Sequence, residues 1–213
     1  MSSEKVFDDF EFERRFFCKD VDSKYFEGAQ NLLMIQSYFL SNDGYSIRVR
    51  VQAKDANLNM NETLDAQEVT KRFEDSFSYA FCTLKGPAVG GTRYESEMEI
   101  DVNVAIEMIR KNPGKALVKN RYYVWIAEDG WVIDVFGGKN NPLIIAECER
   151  STPVINLNIP KFCTTEITDV RRFGNDALVN HPYSYWKDDF EKELKENGPR
   201  FSELFGQNIF LDE

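Results

Sequence analysis

Charged residues recur at every second position in several short segments of this chain, at residues 11–15, 47–51, 93–100 and 147–149. Carboxylates and basic groups are what polyphosphate chemistry needs, because carboxylates hold a divalent metal and cations hold phosphate oxygens. Successive side chains of a β-strand point to opposite faces, so each segment would present its charges on one side of a sheet. The alternation therefore predicts a sheet with a charged face and an apolar face.

Strand parity sorts these charges into a carboxylate set and a cation set. The acidic positions are Glu11, Glu13, Glu95, Glu97, Glu99, Asp134, Glu147 and Glu149. The basic positions are Arg15, Arg48, Arg50, Lys85, Arg93, Lys119 and Arg121. A solvated face of an amphipathic sheet would explain any one strand. Across the whole set, however, like charges lie side by side, which is unfavourable unless a ligand uses them.

The elements that must position these groups are about eight β-strands. The residue types predict strands at 8–18, 33–40, 45–53, 77–86, 92–100, 115–127, 130–136 and 143–150. Residues 42–44 and 128–130 carry the Asn/Asp-Gly chemistry of tight hairpins, so neighbouring strands are antiparallel. An eight-stranded antiparallel sheet tends to curl or close. Closure with the charged face inward would create a water-filled polar tunnel.

Helices are predicted between and after the strands. The acidic start and basic end of residues 101–110 predict one helix, followed by the stop signal of residues 112–114. A weaker helix at 64–73 lies in a polar insertion at about 54–76, which could be a lid over the tunnel or, as we favour, a surface decoration. Further helices are predicted at 169–179 and 185–195.

Composition excludes several classes of protein. A chain of 213 residues suits one domain, and a formal net charge of −10 gives no basic field for nucleic acid. No run approaches the roughly 18 apolar residues of a membrane helix, and residues 1–5 lack a signal sequence, so we expect a cytoplasmic protein. Four scattered cysteines without a CxxC pair, and a single histidine, argue against a zinc site.

Several motifs in order carry a resemblance to a known family. Residues 11–15, Glu-Phe-Glu-Arg-Arg, resemble the ExExK signature of the CYTH superfamily, the triphosphate tunnel metalloenzymes. The tail at 166–178 is similar to that of the short bacterial inorganic triphosphatase branch. The motifs between them are Arg48-Val49-Arg50, Thr83-Leu84-Lys85, Arg93 with Glu95 and Glu97, Lys119-Asn120-Arg121, Asp134, and Glu147-Cys148-Glu149. The resemblance spans about residues 9–178.

This resemblance implies an α+β fold, an eight-stranded antiparallel β-barrel with a charged interior and helices outside. It implies a single tunnel domain over 1–213, with a core at 9–178 and a helical extension at 179–213. It also implies hydrolysis of a triphosphate with Mg²⁺ or Mn²⁺, inorganic tripolyphosphate first and nucleoside triphosphates also, by a monomer or homodimer.

The implied roles follow the motifs residue by residue. The implied metal ligands are Glu11, Glu13, Glu147 and Glu149, with Asp134, Glu95 and Glu97 as further groups. The implied phosphate ligands are Arg15, Arg48, Arg50, Lys85, Arg93, Lys119 and Arg121. Arg15, Glu13 and Lys85 are the implied catalytic residues.

One departure from the family opens alternatives. The ExExK lysine is Arg15 here, and an arginine is always protonated and cannot serve as a base. Three interpretations follow: a hydrolase in which another group, such as a metal-bound carboxylate, orients the attacking water; a slow or selective enzyme; or a non-catalytic polyphosphate or nucleotide sensor. A class IV adenylyl cyclase or a thiamine triphosphatase are alternatives in the same fold. Either would need an organic group to be recognised, for which Tyr123, Trp125 and Trp131 could stack.

Overall fold

A computed structural model describes residues 10–56 and 58–211 as eleven strands and four α-helices. Residues 8 and 9 of the first predicted strand, and the amino terminus at 1–5, lie outside the described residues. The strands are β1 (Phe10–Cys18), β2 (Gln30–Asn42), β3 (Tyr45–Lys54), β4 (Tyr79–Lys85), β5 (Thr92–Glu99), β6 (Ala116–Ile126), β7 (Asp129–Phe136), β8 (Ile144–Arg150), β9 (Leu157–Ile159), β10 (Cys163–Glu166) and β11 (Asn208–Phe210). The helices are α1 (Ala66–Arg72), α2 (Val102–Arg110), α3 (Asn175–Asn180) and α4 (Lys187–Asn197).

The first eight strands form a closed antiparallel barrel, as the alternation of charges predicts. Their order is β1-β5-β4-β3-β2-β6-β7-β8, and β8 pairs back onto β1. Strand β2 begins three residues before its predicted start at 33, because residues 30–32 pair with both β6 and, at Leu32, β3. Side chains of one parity therefore face the interior of the barrel and those of the other parity face outward.

Helices α1 and α2 cover the outer surface over strands β3, β4 and β6. Their buried side chains, including Val69, Ile106 and Ile109, pack with outward-facing residues such as Val49 and Val51. Insertion 54–76 supplies α1 to this layer, and none of its described residues lines the interior cavity. The choice between a surface decoration and a lid stays a prediction. In the described part of the chain, no helix has both the length and the apolar character needed to cross a membrane.

Residues 173–190 of the carboxyl-terminal segment pack into one end of the barrel, and we call them the plug. Inward-facing Phe17, Leu117 and Phe136 lie at this end and form one buried cluster with Phe173 and Trp186, which we call the plug cluster. The helix predicted at 169–179 is divided here into a 3₁₀ turn at residues 171–173 and then α3. The extended backbone of Gly174, φ −61° and ψ 138°, separates the two pieces. The break allows Phe173 to point into the plug cluster. This is a tertiary contact, which a local helix pattern cannot predict.

We expect Phe173→Ala to lower the free energy of unfolding by about 3–5 kcal/mol, the usual cost of deleting a buried Phe side chain. Phe173 is fully buried and its ring lies 5.0 Å from the rings of both Trp186 and Phe190. Urea denaturation measures the change. Leu204→Ala is the matched control, because Leu204 is 88% exposed. An equal loss in both variants would contradict the assignment of Phe173 to the plug.

Candidate active site

The barrel encloses a cavity of about 550 Å³ whose walls are charged. That volume lies in the ordinary range of small-molecule sites. The cations that line it are Arg15, Arg48, Arg50, Lys85, Arg93, Arg121 and Arg171, and the carboxylates include Glu11, Glu13, Glu95, Glu97, Glu147 and Glu149. All the site residues predicted from the sequence therefore meet at this cavity, except Lys119 and Asp134. The cavity combines the two kinds of group that a metal–polyphosphate complex requires.

One wall, made by β3, β4 and β5, presents two guanidiniums on a shared carboxylate. Arg48 Nη2 lies 2.9 Å from Glu97 Oε2, and Arg50 Nη2 lies 2.8 Å from Glu97 Oε1. The Thr83 hydroxyl donates to Glu97 at 2.6 Å and accepts from Arg48. Burial alone would raise the pKa of Glu97, but Arg50, Thr83 and Arg48 lower it. The wall thus holds two arginine forks in fixed positions around one ionised carboxylate.

A second group of ion pairs joins β1 to β4 and β5. Arg93 Nε donates to Glu11 at 3.0 Å, Arg93 Nη2 lies 3.3 Å from Glu13, and Lys85 contacts both Glu11 and Glu95. Burial would raise the pKa of Glu11, yet Lys85, a hydrogen bond with Glu95, and Arg93 lower it to about 2. Burial and the contact with Glu11 raise the pKa of Glu95 to about 7. These two carboxyl groups therefore bind a proton with very different strength.

A third network of ion pairs and hydrogen bonds runs from the cavity toward the plugged end of the barrel. Arg15 donates to Glu147 at 2.9 Å and to the Phe173 carbonyl at 3.1 Å. Burial would lower the pKa of Arg15, but Glu147 and Glu13 raise it, so this guanidinium stays charged. Arg121 bridges Glu147, at 3.2 Å, to Asp134, which it contacts with two bonds of 2.7 Å.

Lys119 and Asp134 lie beneath the cavity and do not line it. Both side chains are almost completely buried, and Lys119 donates to Asp134. Burial would raise the pKa of Asp134, but Arg121 and Lys119 hold it below its usual range. Their contacts place them under Arg121, where they fix that side chain. The predicted roles of Lys119 in phosphate binding and of Asp134 in metal binding stay predictions.

The carboxylates on β1 and β8 are suited to a divalent cation. Glu13 and Glu149 are directly opposed on the antiparallel β1 and β8, an arrangement of like charges that is unfavourable by itself. Burial and repulsion from Glu11, Glu147 and Glu13 raise the pKa of Glu149 to about 7. Within residues 10–56 and 58–211, no cation forms an ion pair with Glu149, and no three or more His, Cys, Asp or Glu side chains form a ready-made metal cluster. Oxygen-rich, mutually repelling carboxylates nevertheless match what Mg²⁺ or Mn²⁺ prefers.

Two contributors to the site were not predicted. Thr168 Oγ1 accepts from the Arg15 backbone N–H at 3.2 Å and donates to Glu166 at 2.7 Å, which holds the tail beside β1. Gly91 has φ +68°, and a Cβ there would lie 2.6 Å from the Glu13 carbonyl oxygen. Glycine is therefore required where the β4–β5 turn approaches β1. The Gly90-Gly91 pair was the available signal for this close approach.

Three aromatic residues were expected to stack on an organic group, and they lie on different faces of the barrel wall. Trp131 is 1% exposed and packs outside the barrel against Phe16 and Phe162, so it cannot reach a ligand in the cavity. Tyr123 lines the cavity, and Trp125 follows on the same face of β6.

Comparison with known proteins finds similar sequences and similar solved structures. The inorganic triphosphatase of Acetivibrio thermocellus is 29% identical over 161 residues, 75% of this chain and 88% of that protein. No family model matches the sequence. A crystal structure of an inorganic triphosphatase is 23% identical, with a TM-score of 0.49, over 79% of this chain and 93% of that one. A Hippeastrum protein described as an adenylyl cyclase with a dominant triphosphatase activity matches 88% of each chain at 15% identity, with a TM-score of 0.43. At these TM-scores neither structure informs the activity of this chain.

Proposed function

We propose that the chain belongs to the CYTH superfamily, the triphosphate tunnel metalloenzymes, and that it hydrolyses a triphosphate inside the barrel with a divalent metal ion. The observation that carries the proposal is the cavity, in which arginines and a lysine meet a set of carboxylates. Inorganic tripolyphosphate is the first substrate that we propose, and the Acetivibrio thermocellus relative, named an inorganic triphosphatase, supports it. Nucleoside triphosphates are further substrates.

The cavity cations would hold the phosphate chain. Arg48 and Arg50 offer planar guanidinium forks that match phosphate oxygens, and Arg93 and Arg121 face them from other strands. These side chains already have carboxylate partners, so phosphate oxygens would replace carboxylate oxygens as hydrogen-bond acceptors. Such cations also stabilise the negative charge that develops on a transferring phosphoryl group.

Carboxylates of β1 and β8 would hold the metal, namely Glu11, Glu13, Glu147 and Glu149. A bound Mg²⁺ or Mn²⁺ would supply charge neutralisation and a water nucleophile. The protein's part is to keep these oxygens on one wall while Arg15 and Arg93 fix their orientation. Glu95 and Glu97 lie on the neighbouring wall and are occupied by cations, so we propose a supporting role for them.

Arg15 has a positioning role in this proposal. Its contacts with Glu147 and the Phe173 carbonyl connect the metal-facing wall to the plug. It stays charged, so another group must accept a proton from the attacking water. Lys85 is a candidate, because burial, Arg48 and Arg93 lower its pKa to about 8 and thereby make its neutral form accessible near neutral pH.

The decisive experiment is phosphate release from tripolyphosphate by the purified protein, with Mg²⁺ or Mn²⁺ added. We expect turnover with at least one metal, a fall to background when EDTA is added, and recovery when excess metal is restored. ATP, thiamine triphosphate and long-chain polyphosphate complete the substrate panel. Tight binding of tripolyphosphate without turnover would instead support a non-catalytic sensor. Formation of cyclic AMP from ATP would replace the hydrolase with an adenylyl cyclase.

A further inference from the structure

Two aromatic side chains stand at the end of the barrel opposite the carboxyl-terminal plug. Strand β6 runs from Leu117, within the plug cluster, to Tyr123 and Trp125 at the other end. Side chains at alternate positions share a face, so these two rings follow Arg121 on the inward side of β6. Tyr123 is 40% exposed and Trp125 is 76% exposed. We call Tyr123 and Trp125 the aromatic rim.

The Trp125 side chain is largely exposed and is supported on one side by the neighbouring strand. Its register partner across the β6–β7 hairpin is Gly130, and a Cβ at Gly130 would lie 3.4 Å from the indole ring. The glycine therefore lets the ring rest against the backbone of β7. The other two tryptophans, Trp131 and Trp186, are buried. A tryptophan carries a large apolar surface, which proteins normally cover.

The aromatic rim continues directly from the phosphate-binding cations. Tyr123 lines the same cavity as Arg50 and Arg121 and is close enough to act electrostatically on both guanidiniums. A phosphate chain held by these two arginines would direct whatever is esterified to its end along β6 toward the rim. A ring that arrived there would meet the π-faces of Tyr123 and Trp125.

We propose that the aromatic rim is a binding subsite for a planar aromatic ring carried on the triphosphate, with Trp125 as its main stacking surface. This inference rests on the proposed function, because the cavity must bind the phosphate chain first. The subsite would separate organic triphosphates, which use it, from inorganic tripolyphosphate, which ends before reaching it. Bases stack on aromatic side chains without needing a particular hydrogen-bond pattern.

Affinity in the presence of Mg²⁺ tests the subsite, measured by calorimetric titration for the non-hydrolysable probe and for any probe that is not turned over, and as KM for a probe that is hydrolysed. The probes are the non-hydrolysable β,γ-imido analogue of ATP, thiamine triphosphate and tripolyphosphate. For Trp125→Ala we expect about tenfold weaker binding of at least one organic probe, and less than a twofold change for tripolyphosphate. Trp125→Phe should keep most of the affinity. Tyr185→Ala, which removes an exposed aromatic ring outside the barrel, should behave as the wild type.

The outcomes separate the two proposals. A loss confined to the nucleotide analogue assigns a nucleobase to the rim, and a loss confined to thiamine triphosphate assigns a cationic heterocycle. Equal weakening of all three probes, or unchanged binding of both organic probes, overturns the subsite while triphosphate hydrolysis stands. A wild-type protein that binds no tripolyphosphate overturns the proposed function and the subsite together.

Discussion

Glu149→Gln is expected to lower metal-dependent turnover about 100-fold or more while leaving the protein at least as stable as the wild type. In the proposed function Glu149 is a metal ligand, so the variant would lose charge that the metal needs, and effects of this size are typical of groups that hold a transition state. Stability should not suffer, because Glu149 faces Glu13 across the β1–β8 pair and has other carboxylates around it. Removing its charge therefore removes repulsion.

The pH dependence of stability should also show the repulsion at Glu149. Glu149 has a pKa raised to about 7 in the folded protein, above the value of about 4.3 expected when unfolded. Ionisation of this group therefore disfavours the folded state. Below about pH 4.3 the wild type and Glu149→Gln should be equally stable. As the pH rises to about 7, the wild type should lose stability relative to the variant in thermal unfolding.

Glu147→Gln is the matched comparison on the same face of the same strand. Glu147 accepts from Arg15 at 2.9 Å and Arg121 at 3.2 Å, so its replacement leaves two buried guanidiniums short of a partner. We expect this variant to lose activity and also about 3 kcal/mol of stability. Equal stability losses in both variants would show that Glu149 has a structural role. Retained turnover in Glu149→Gln would remove it from the metal-binding set.

Much of the barrel and its inward face was predictable because β-strands impose a period of two. The alternation at residues 47–51 and 147–149 places Arg48, Arg50 and Glu147 inside, where the structure has them. The same alternation places Trp131 on the outward face of β7, with Ile133 in the outer core, and Trp125 on the inward face of β6. Parity names a face, however, and does not give depth along the barrel axis.

Depth and tertiary contact account for the features that the sequence did not predict. Lys119 has the parity of Arg121 but lies beneath the cavity, because the plug cluster adds Phe136 and Leu117 below it. The division of the predicted 169–179 helix also depends on that plug. Strand order further pairs cations with carboxylates of neighbouring strands, as in Arg48 with Glu97. The two charge sets are therefore interleaved and compensate each other, which composition along single strands cannot show.

Asp134→Asn should be among the most destabilising polar substitutions in this protein, with a loss of about 3–5 kcal/mol. Asp134 is fully buried, and it is the shared acceptor for Lys119 and for both bonds of the Arg121 fork. An asparagine keeps the shape but removes the charged partner of Lys119 and leaves Arg121 with its longer contact to Glu147. Burial already lowers the pKa of Lys119 to about 7, so we expect the variant to release the Lys119 proton.

The same substitution distinguishes a structural Asp134 from a metal ligand. Lys119 and Arg121 hold the pKa of Asp134 low, so its contribution to stability is present above about pH 4, the ordinary value for an aspartate, and is lost at lower pH. The gap between wild type and variant in urea unfolding should therefore be widest near neutrality and narrow in acid. Glu107→Gln, which breaks an exposed ion pair with Arg110 on α2, should cost far less. If metal affinity falls as steeply as in Glu149→Gln, without this loss of stability, Asp134 is a metal ligand. If metal affinity is unchanged in a destabilised protein, Asp134 is the group that holds Arg121 in position.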